Sequence, residues 1–380
     1  MTVTIAGITF HLFEIFLLVF LCWRVFFDLY RNGFSLTVYN IGPVKILLLG
    51  FLLFIGSILL STLNAYSVPL VIKSLSKWIE IIILVFLIFL YISDVKRLKL
   101  FYWLLFFSVF IAIVDILVRV FLGEYQLFAY RIFPSYEACF AFALLLPFLV
   151  KKKSAILYAL MAAAVFSLML SLSRAAWLGA VIVVIYAYIY LSKTYRRVIV
   201  VFAVLASLAI ASIPTARILI LYKITSVFEQ NSLSNRVRTN LLEIALLAYK
   251  QNPLFGVGAL NFPQFILNEG LRDEVFARNL STLEPHNTFL QIAAEEGTLG
   301  LIAFLLILLA VYKSLFRGFK LRKVPDPIFP YLLGLQLFAL VMMLNLMLGY
   351  IASQFRFYFA ILVGMSVAMT KLSFEDSEVD

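Results

Sequence analysis

The strongest constraint on this chain is a recurring one: stretches of about twenty mostly apolar residues, the length a helix needs to cross the hydrocarbon core of a bilayer. They cover approximately residues 8–30, 44–63, 75–93, 99–122, 135–150, 154–172, 175–192, 197–213, 298–317, 328–348 and 351–370. Lipid offers backbone N–H and C=O groups no partners, so each segment must satisfy its own by forming a helix. Composition agrees, with apolar residues at 64% and charged residues at 13% of 380 positions. The expected fold is all-α, a polytopic membrane helix bundle of about eleven transmembrane helices, with room for a twelfth because the stretch around "SLSR" admits another division. The first segment has no basic region before it and no small-residue cleavage site after it, so it is expected to be a retained helix rather than a signal peptide.

Orientation follows from the short loops, because basic residues near helix ends stay on the cytoplasmic side. "DVKRLK", Lys151 to Lys153, "KTYRR" and "KSLFRGFKLRK" fall between alternate helices, all on one side. This predicts an N-terminus outside, the acidic tail "FEDSEVD" inside, and a long loop outside between the eighth and ninth helices. Four regions result: N-terminal transmembrane helices over 1–213, the outer loop over 214–298, C-terminal transmembrane helices over 299–370, and a cytoplasmic tail over 371–380. The net charge of +11 is mostly this topology signal. Spread over many loops rather than gathered on one soluble face, it argues against nucleic-acid binding. Cys22 and Cys139 fall within expected helices, where a free cysteine packs as a small apolar residue; neither a disulfide framework nor a metal–thiolate site is expected.

A loop of about 85 residues is far longer than two helices need, and loops beyond about 15 residues are usually functional or disordered. This one carries order. "SNRVRTNLLEIALLAYKQNP" opens on the capping-type residues Ser234 and Asn235, repeats apolar residues at Leu241, Leu242, Ala245 and Ala248 to Tyr249, and closes at Pro253. It reads as an amphipathic helix lying on the outer membrane surface. "PLFGVGALNF" follows, with Gly256 and Gly258 permitting backbone shapes that other residues resist. "PHNTFLQIAAEEG" predicts another helix, with Pro285 near its first turn and Gly297 near its end, which puts His286 at a helix start just above the bilayer.

Three stretches converge on that outer side. "SLSRAAWLG" places Arg174 at the mouth between two helices and Trp177 at interface depth. An arginine in apolar sequence costs roughly 2.5 to 3.5 kcal/mol at a helix centre and less near its end, which makes Arg174 a functional candidate; the bland alternative is a side chain snorkelling to lipid headgroups. Arg236 and Arg238 open the surface helix, where the helix dipole also favours an anion, although either alone reads equally as a solvated charge. His286 alone reads as a capping or structural residue. Together they suggest a reaction. Arginine forks grip a diphosphate and stabilise its charge as it leaves, while a histidine with an ordinary pKa near 6.5 accepts a proton from an attacking hydroxyl. That describes glycosyl transfer from a lipid diphosphate sugar.

"SRAAWLG", "SNRVRTNLLEIALLAYKQNPLFGVGALNF" and "HNTFLQIAAEEGTLG" resemble, in order and approximate spacing, the three signature regions of the O-antigen ligase superfamily of bacterial inner-membrane proteins. The resemblance covers roughly residues 170–305. It implies a multi-pass enzyme with its active site facing the periplasm, one that transfers a glycan from undecaprenyl diphosphate to an acceptor without a metal ion or other cofactor. The family's motif arginines fall on Arg174 and Arg236, its histidine on His286, and its glutamate before the glycine turn on Glu295, with Glu296 adjacent; Arg238 and Asn287 are further substrate-binding candidates. Glu284, Glu295 and Glu296 are all candidates to orient the His286 ring. Where many members carry Trp four residues after the second arginine this chain has Asn240, and the extra N-terminal helix of many members has no counterpart. The implied partners are an undecaprenyl-diphosphate-linked glycan donor, lipid A-core or another glycan as acceptor, and membrane lipids. Ligases, polymerases and protein glycosyltransferases share the motifs; the long outer loop favours the ligase, with a surface-polysaccharide polymerase as the alternative.

Two other classes compete with this reading. A lipid-glycan transporter would be expected to show repeated halves and broken helices at mid-membrane, whereas the polar constellation here gathers at one face. Asp115 and Arg119, spaced i, i+4, read as a mutually neutralising pair rather than a substrate site. A metal-dependent glycosyltransferase would need an acidic centre, with His11 and Glu14, or Asp273 and Glu274, as its candidates.

Overall fold

A computed structural model describes residues 42–122, 135–149, 154–171, 173–190, 233–271, 283–317, 328–349 and 353–375, together with 2–5, 8–11 and a few isolated positions. The expected span 197–213 and most of 8–30 lie outside the described residues, as do the basic loops at 151–153 and "KTYRR", most of the acidic tail, and Glu14, Asp273 and Glu274.

The chain opens with an antiparallel strand pair, β1 (Thr2–Ile5) and β2 (Ile8–His11), in the register Thr2 with His11 and Ile5 with Ile8. The first expected helix therefore does not start at residue 8. Val3, Thr4, Ile5, Ile8, Thr9 and Phe10 are β-branched or aromatic, and such side chains fit a pleated surface better than a helical one.

Every other described element is helical: α1 (Gly42–Leu60), α2 (Val68–Tyr91), α3 (Val95–Phe121), α4 (Ser135–Leu145), α5 (Ala155–Leu170), α6 (Arg174–Tyr190), α7 (Leu233–Gln251), α8 (Phe262–Asn268), α9 (Thr288–Tyr312), α10 (Phe329–Leu348) and α11 (Ser353–Glu375). Among the described residues, six helical stretches are long and apolar enough to cross a membrane: Gly42–Asn64, Val68–Tyr91, Val95–Arg119, Thr288–Arg317, Phe329–Leu348 and Phe355–Leu372. Ser135–Phe148, Ala155–Leu170 and Arg174–Ile189 are shorter apolar helices. The chain is a multi-pass membrane protein, and each of these nine stretches falls on an expected span.

The chain divides into two compact units. One comprises Met1–Leu98, Val237–Phe319 and Gly349–Asp380; the other comprises Lys99–Arg236 and Lys320–Leu348. In the first, α1 and α9 pack so closely that a Cβ at Gly50 would lie 2.9 Å from Cγ1 of Ile307, the small-residue contact by which membrane helices gain van der Waals packing without a hydrophobic driving force. Phe54 of α1 meets Trp78 of α2 with ring centroids 4.4 Å apart. The C-terminal ends of α2 and α11 are tied where the buried Lys371 ammonium donates to the Phe89 carbonyl and lies 4.0 Å from the centroid of its ring.

In the second unit, the buried Tyr102 of α3 donates its hydroxyl to the Leu144 carbonyl at 2.6 Å, near the turn Leu146–Phe148 that ends α4. Gly334 of α10 makes room for that ring, because a Cβ there would overlap the Tyr102 hydroxyl. Trp177 of α6 donates its indole N–H to the Leu168 carbonyl of α5 at 3.0 Å. Asp115 and Arg119 form the expected intrahelical pair, with Nε 3.0 Å from Oδ2.

Candidate active site

The site-bearing end of the first unit is built around the start of α9. Asn287 adopts extended backbone (φ −151°, ψ 108°), and its side-chain oxygen accepts the Leu290 N–H at 2.9 Å, so the second residue of the "HN" pair is the helix N-cap. That bond satisfies one of the orphan donors every helix N-terminus leaves open. It also commits the oxygen of a residue expected to bind substrate. His286, half-buried, stands just before the cap with φ 49°. Left-handed backbone is uncommon outside glycine and tends to persist where surrounding structure imposes it, often at functional positions. Thr288 anchors the same turn, donating its hydroxyl to the Gly349 carbonyl at 3.3 Å.

Gly297 ends the first stretch of α9, with φ 71° and ψ −166° inside an otherwise helical run. The helix therefore begins at Thr288, and "PHNTFLQIAAEEG" joins the following span across a kink rather than standing apart from it. The break leaves carbonyls without their usual i+4 donors, and "PLFGVG" supplies replacements: Val257 N–H donates to the Ala294 carbonyl at 2.9 Å and Gly258 N–H to the Glu295 carbonyl at 3.0 Å. In return the Thr298 N–H donates to the Pro253 carbonyl at 2.8 Å. Gly256, at φ 69°, cannot carry a side chain, since its Cβ would fall onto the Glu295 backbone. The loop is also pinned to the link between α1 and α2: Asn64 donates to the Gly256 carbonyl at 3.1 Å, Ala259 N–H to the Ser61 hydroxyl at 3.1 Å, and Ser67 N–H to the Asn261 side-chain oxygen at 2.7 Å.

α7 corrects one expectation. Of the stripe read from sequence as a membrane-surface face, Leu241, Ala245 and Ala248 are buried, together with Ile244, against Val257, Phe262, Phe265, Ile266 and Ala294, while Leu242 and Tyr249 are half-buried. Apolar residues of the loop and of α8 take the place expected of lipid.

The three candidate carboxylates separate clearly. Glu295 is 4% exposed; it accepts the Phe262 N–H at 3.3 Å and is hydrogen-bonded as well by the Leu260 N–H and the Gln291 side chain, which makes it the clasp at the start of α8. Glu296 is buried, and its Oε2 makes no hydrogen bond to a described residue. Its neighbourhood is the α1 contact, where a Cβ at Gly300 would lie 3.2 Å from the Ser57 hydroxyl. Glu284, outside the spans, also has a buried Oε2 without a hydrogen bond to a described residue. Burial pushes its carboxyl up to about 7, against the pull of Arg356 and Lys77, which favour the ionised form.

Lys77 and Arg356 had no place in the sequence reading, which counted basic residues in loops and took those inside apolar segments as part of the helices. The available signal was a cation in the N-terminal part of a spanning helix, at Lys77 of α2 and Arg356 of α11, on the side where the topology rule expects few.

Arg174 and Arg236 fall in the second unit. Ser173 precedes α6 and its hydroxyl accepts the Ala176 N–H at 3.4 Å; Arg174 is the first residue of the helix and half-buried. Its Nη2 donates to Oδ1 of Asn235 at 3.1 Å, joining "SLSR" to "SNR". Arg236 is exposed and Arg238 half-buried, both on α7; the unit boundary passes between them, and His286, Glu284 and Glu295 belong to the first unit.

A model of the O-antigen ligase family matches residues 157–305, a stretch that holds Arg174, Arg236, His286 and all three carboxylates. Over those residues the chain is similar to the O-antigen ligase family, whose members are glycosyltransferase-like enzymes of polysaccharide biosynthesis. An uncharacterized protein of Haemophilus influenzae is 26% identical over 191 residues, a match covering 45% of this chain and 47% of that protein. The match thus spans about half the length of that relative.

Proposed function

We propose that this chain is an O-antigen ligase: a glycosyltransferase of the bacterial inner membrane that moves a glycan from undecaprenyl diphosphate to lipid A-core on the periplasmic face. The observation that carries the reading is the coincidence of the family match with the segment holding Arg174, Arg236 and His286. In the proposed step the acceptor hydroxyl attacks the anomeric carbon of the donor sugar, the bond from that carbon to the diphosphate oxygen breaks, and the proton passes to the His286 imidazole. Arg174 and Arg236 hold the diphosphate and stabilise the charge it acquires on leaving, with Arg238 and Asn287 as further substrate contacts. The strained His286 backbone and the capped helix behind it support the role of a pre-positioned base, because general-base catalysis demands a fixed geometry before it demands a tuned pKa.

The test is reconstitution. Purified protein is incubated with undecaprenyl-diphosphate glycan and either lipid A-core or a second lipid-linked glycan. Glycan joined to lipid A-core supports the ligase; longer lipid-linked chains identify a polymerase; no product with either acceptor overturns the reading.

A further inference from the structure

Of the three candidate carboxylates, Glu284 and Glu296 each keep a buried oxygen that accepts no hydrogen bond from a described residue, and of these two Glu284 alone lies outside the spans. Glu295 spends its oxygens on the backbone at the start of α8. Glu296 sits within a membrane-spanning stretch, at the contact of α9 with α1. Glu284 lies two residues before His286, on irregular backbone outside the spans, with a buried oxygen that accepts no hydrogen bond from a described residue. A buried carboxylate oxygen left without a donor is costly, and where a folded protein keeps one, a functional role is among the explanations.

The surroundings fix where Glu284 sits. α2 and α11 pack along each other with their C-terminal ends tied at Phe89 and Lys371, so Lys77 and Arg356 occupy the N-terminal parts of both helices. Both act electrostatically on Glu284, as does Glu295. Cations inside spanning helices are expensive and are kept where they hold a charge or a substrate in place. Both charges favour the ionised form of Glu284, whose Oε2 accepts no hydrogen bond from a described residue.

We infer that Glu284 is an acceptor-binding residue: its Oε2 receives a hydroxyl of the acceptor sugar, with Lys77 and Arg356 as the positioning residues that hold the carboxylate for it. The ligand class is a polyhydroxylated glycan, whose hydroxyls donate to a carboxylate oxygen, most strongly when it is ionised, and accept from a protonated carboxyl. The inference rests on the glycosyltransferase reading for the word acceptor, and on the geometry of Glu284 for the site.

The experiment measures binding without turnover on the full-length protein in detergent or nanodiscs. The probes are two lipid-free glycans, a core oligosaccharide and an O-antigen-repeat oligosaccharide, and, separately, undecaprenyl diphosphate without sugar. Wild type is expected to bind at least one glycan, and Glu284→Gln to weaken that binding about tenfold or more, as loss of a hydrogen bond to a charged group does. Glu284→Asp is expected to recover part of it, and binding of undecaprenyl diphosphate to stay unchanged in both variants, which also shows that they are folded. Unaltered glycan binding by Glu284→Gln, equal weakening of both probe types, or a wild type that binds neither glycan overturns the inference. Selective glycan loss in a protein that transfers no sugar leaves the Glu284 site standing and removes the glycosyltransferase reading instead.

Discussion

Arg174 Nη2 donates to the side-chain oxygen of Asn235 at 3.1 Å, linking two motifs separated by 61 positions in the chain. The bond ties one arm of the guanidinium to the start of α7. Replacing Arg174 with Lys keeps the charge and loses the fork, so transfer is expected to fall by about 10² or more while membrane insertion persists. Asn235→Ala removes only the brace and is expected to cost less, about tenfold, chiefly as a raised KM for the lipid-linked donor. Steady-state kinetics normalised to inserted protein checks both, and near-normal transfer by Arg174→Lys speaks against the diphosphate role.

Two of the glycines with positive φ, Gly270 and Gly256, differ in what surrounds them. Gly270 has φ 68° and open space, so Gly270→Ala meets only the left-handed backbone penalty, about 1 kcal/mol. Gly256 has φ 69°, and its Cβ would overlap the Glu295 backbone, so Gly256→Ala is expected to cost well over that and to lower the yield of folded protein. Thermal unfolding of both variants in the same detergent gives the comparison. Equal melting temperatures contradict the tight docking of "PLFGVG" on α9.

Much of this architecture was legible from residues alone. Apolar runs of helical length located the six helices long enough to cross a membrane and the three shorter apolar helices, because lipid enforces the rule strictly, and Gly297 announced a helix break because few other residues tolerate its φ. Other features were hidden for physical reasons. Whether the stripe of α7 meets lipid or protein depends on Phe262 and Phe265, which no periodicity within α7 reports. The role of Glu295 depends on the N–H groups of Leu260 and Phe262, more than thirty positions away. Glu284 and Glu295 look equivalent in sequence and separate only when their hydrogen bonds are seen.

Glu284 makes stability depend on pH. Burial raises its folded value from 4.5 to about 7, so folding favours the protonated carboxyl. The stability it contributes is fully present below the unfolded value of 4.5 and is lost as pH rises through about 7, after which the loss is constant. Glu284→Gln stays neutral throughout, so its melting temperature is expected to gain on wild type across that window and hold the gain above it. Melting curves of both proteins from about pH 4 to about pH 8 test this; a difference that does not change with pH removes the buried carboxyl from the account.

The proposed chemistry assigns the leaving-group charge to arginines rather than to a cation. Purified protein is expected to transfer glycan at an undiminished rate in EDTA. Loss of activity in the chelator, restored by Mg²⁺ or Mn²⁺, requires a metal-assisted step instead.

His286 carries the central claim, and its left-handed backbone dictates the variant. Asparagine tolerates φ near 49° better than most residues but supplies no base of comparable pKa, so His286→Asn separates catalysis from folding more cleanly than His286→Ala. The decisive measurement is glycan transfer per unit of correctly inserted protein, for both variants, beside equilibrium binding of the undecaprenyl-diphosphate donor. The account predicts transfer reduced by about 10² to 10⁴ with donor binding largely kept, the loss expected when a general base is removed. A variant that retains most of its specific activity, or that loses donor binding and transfer together, contradicts it.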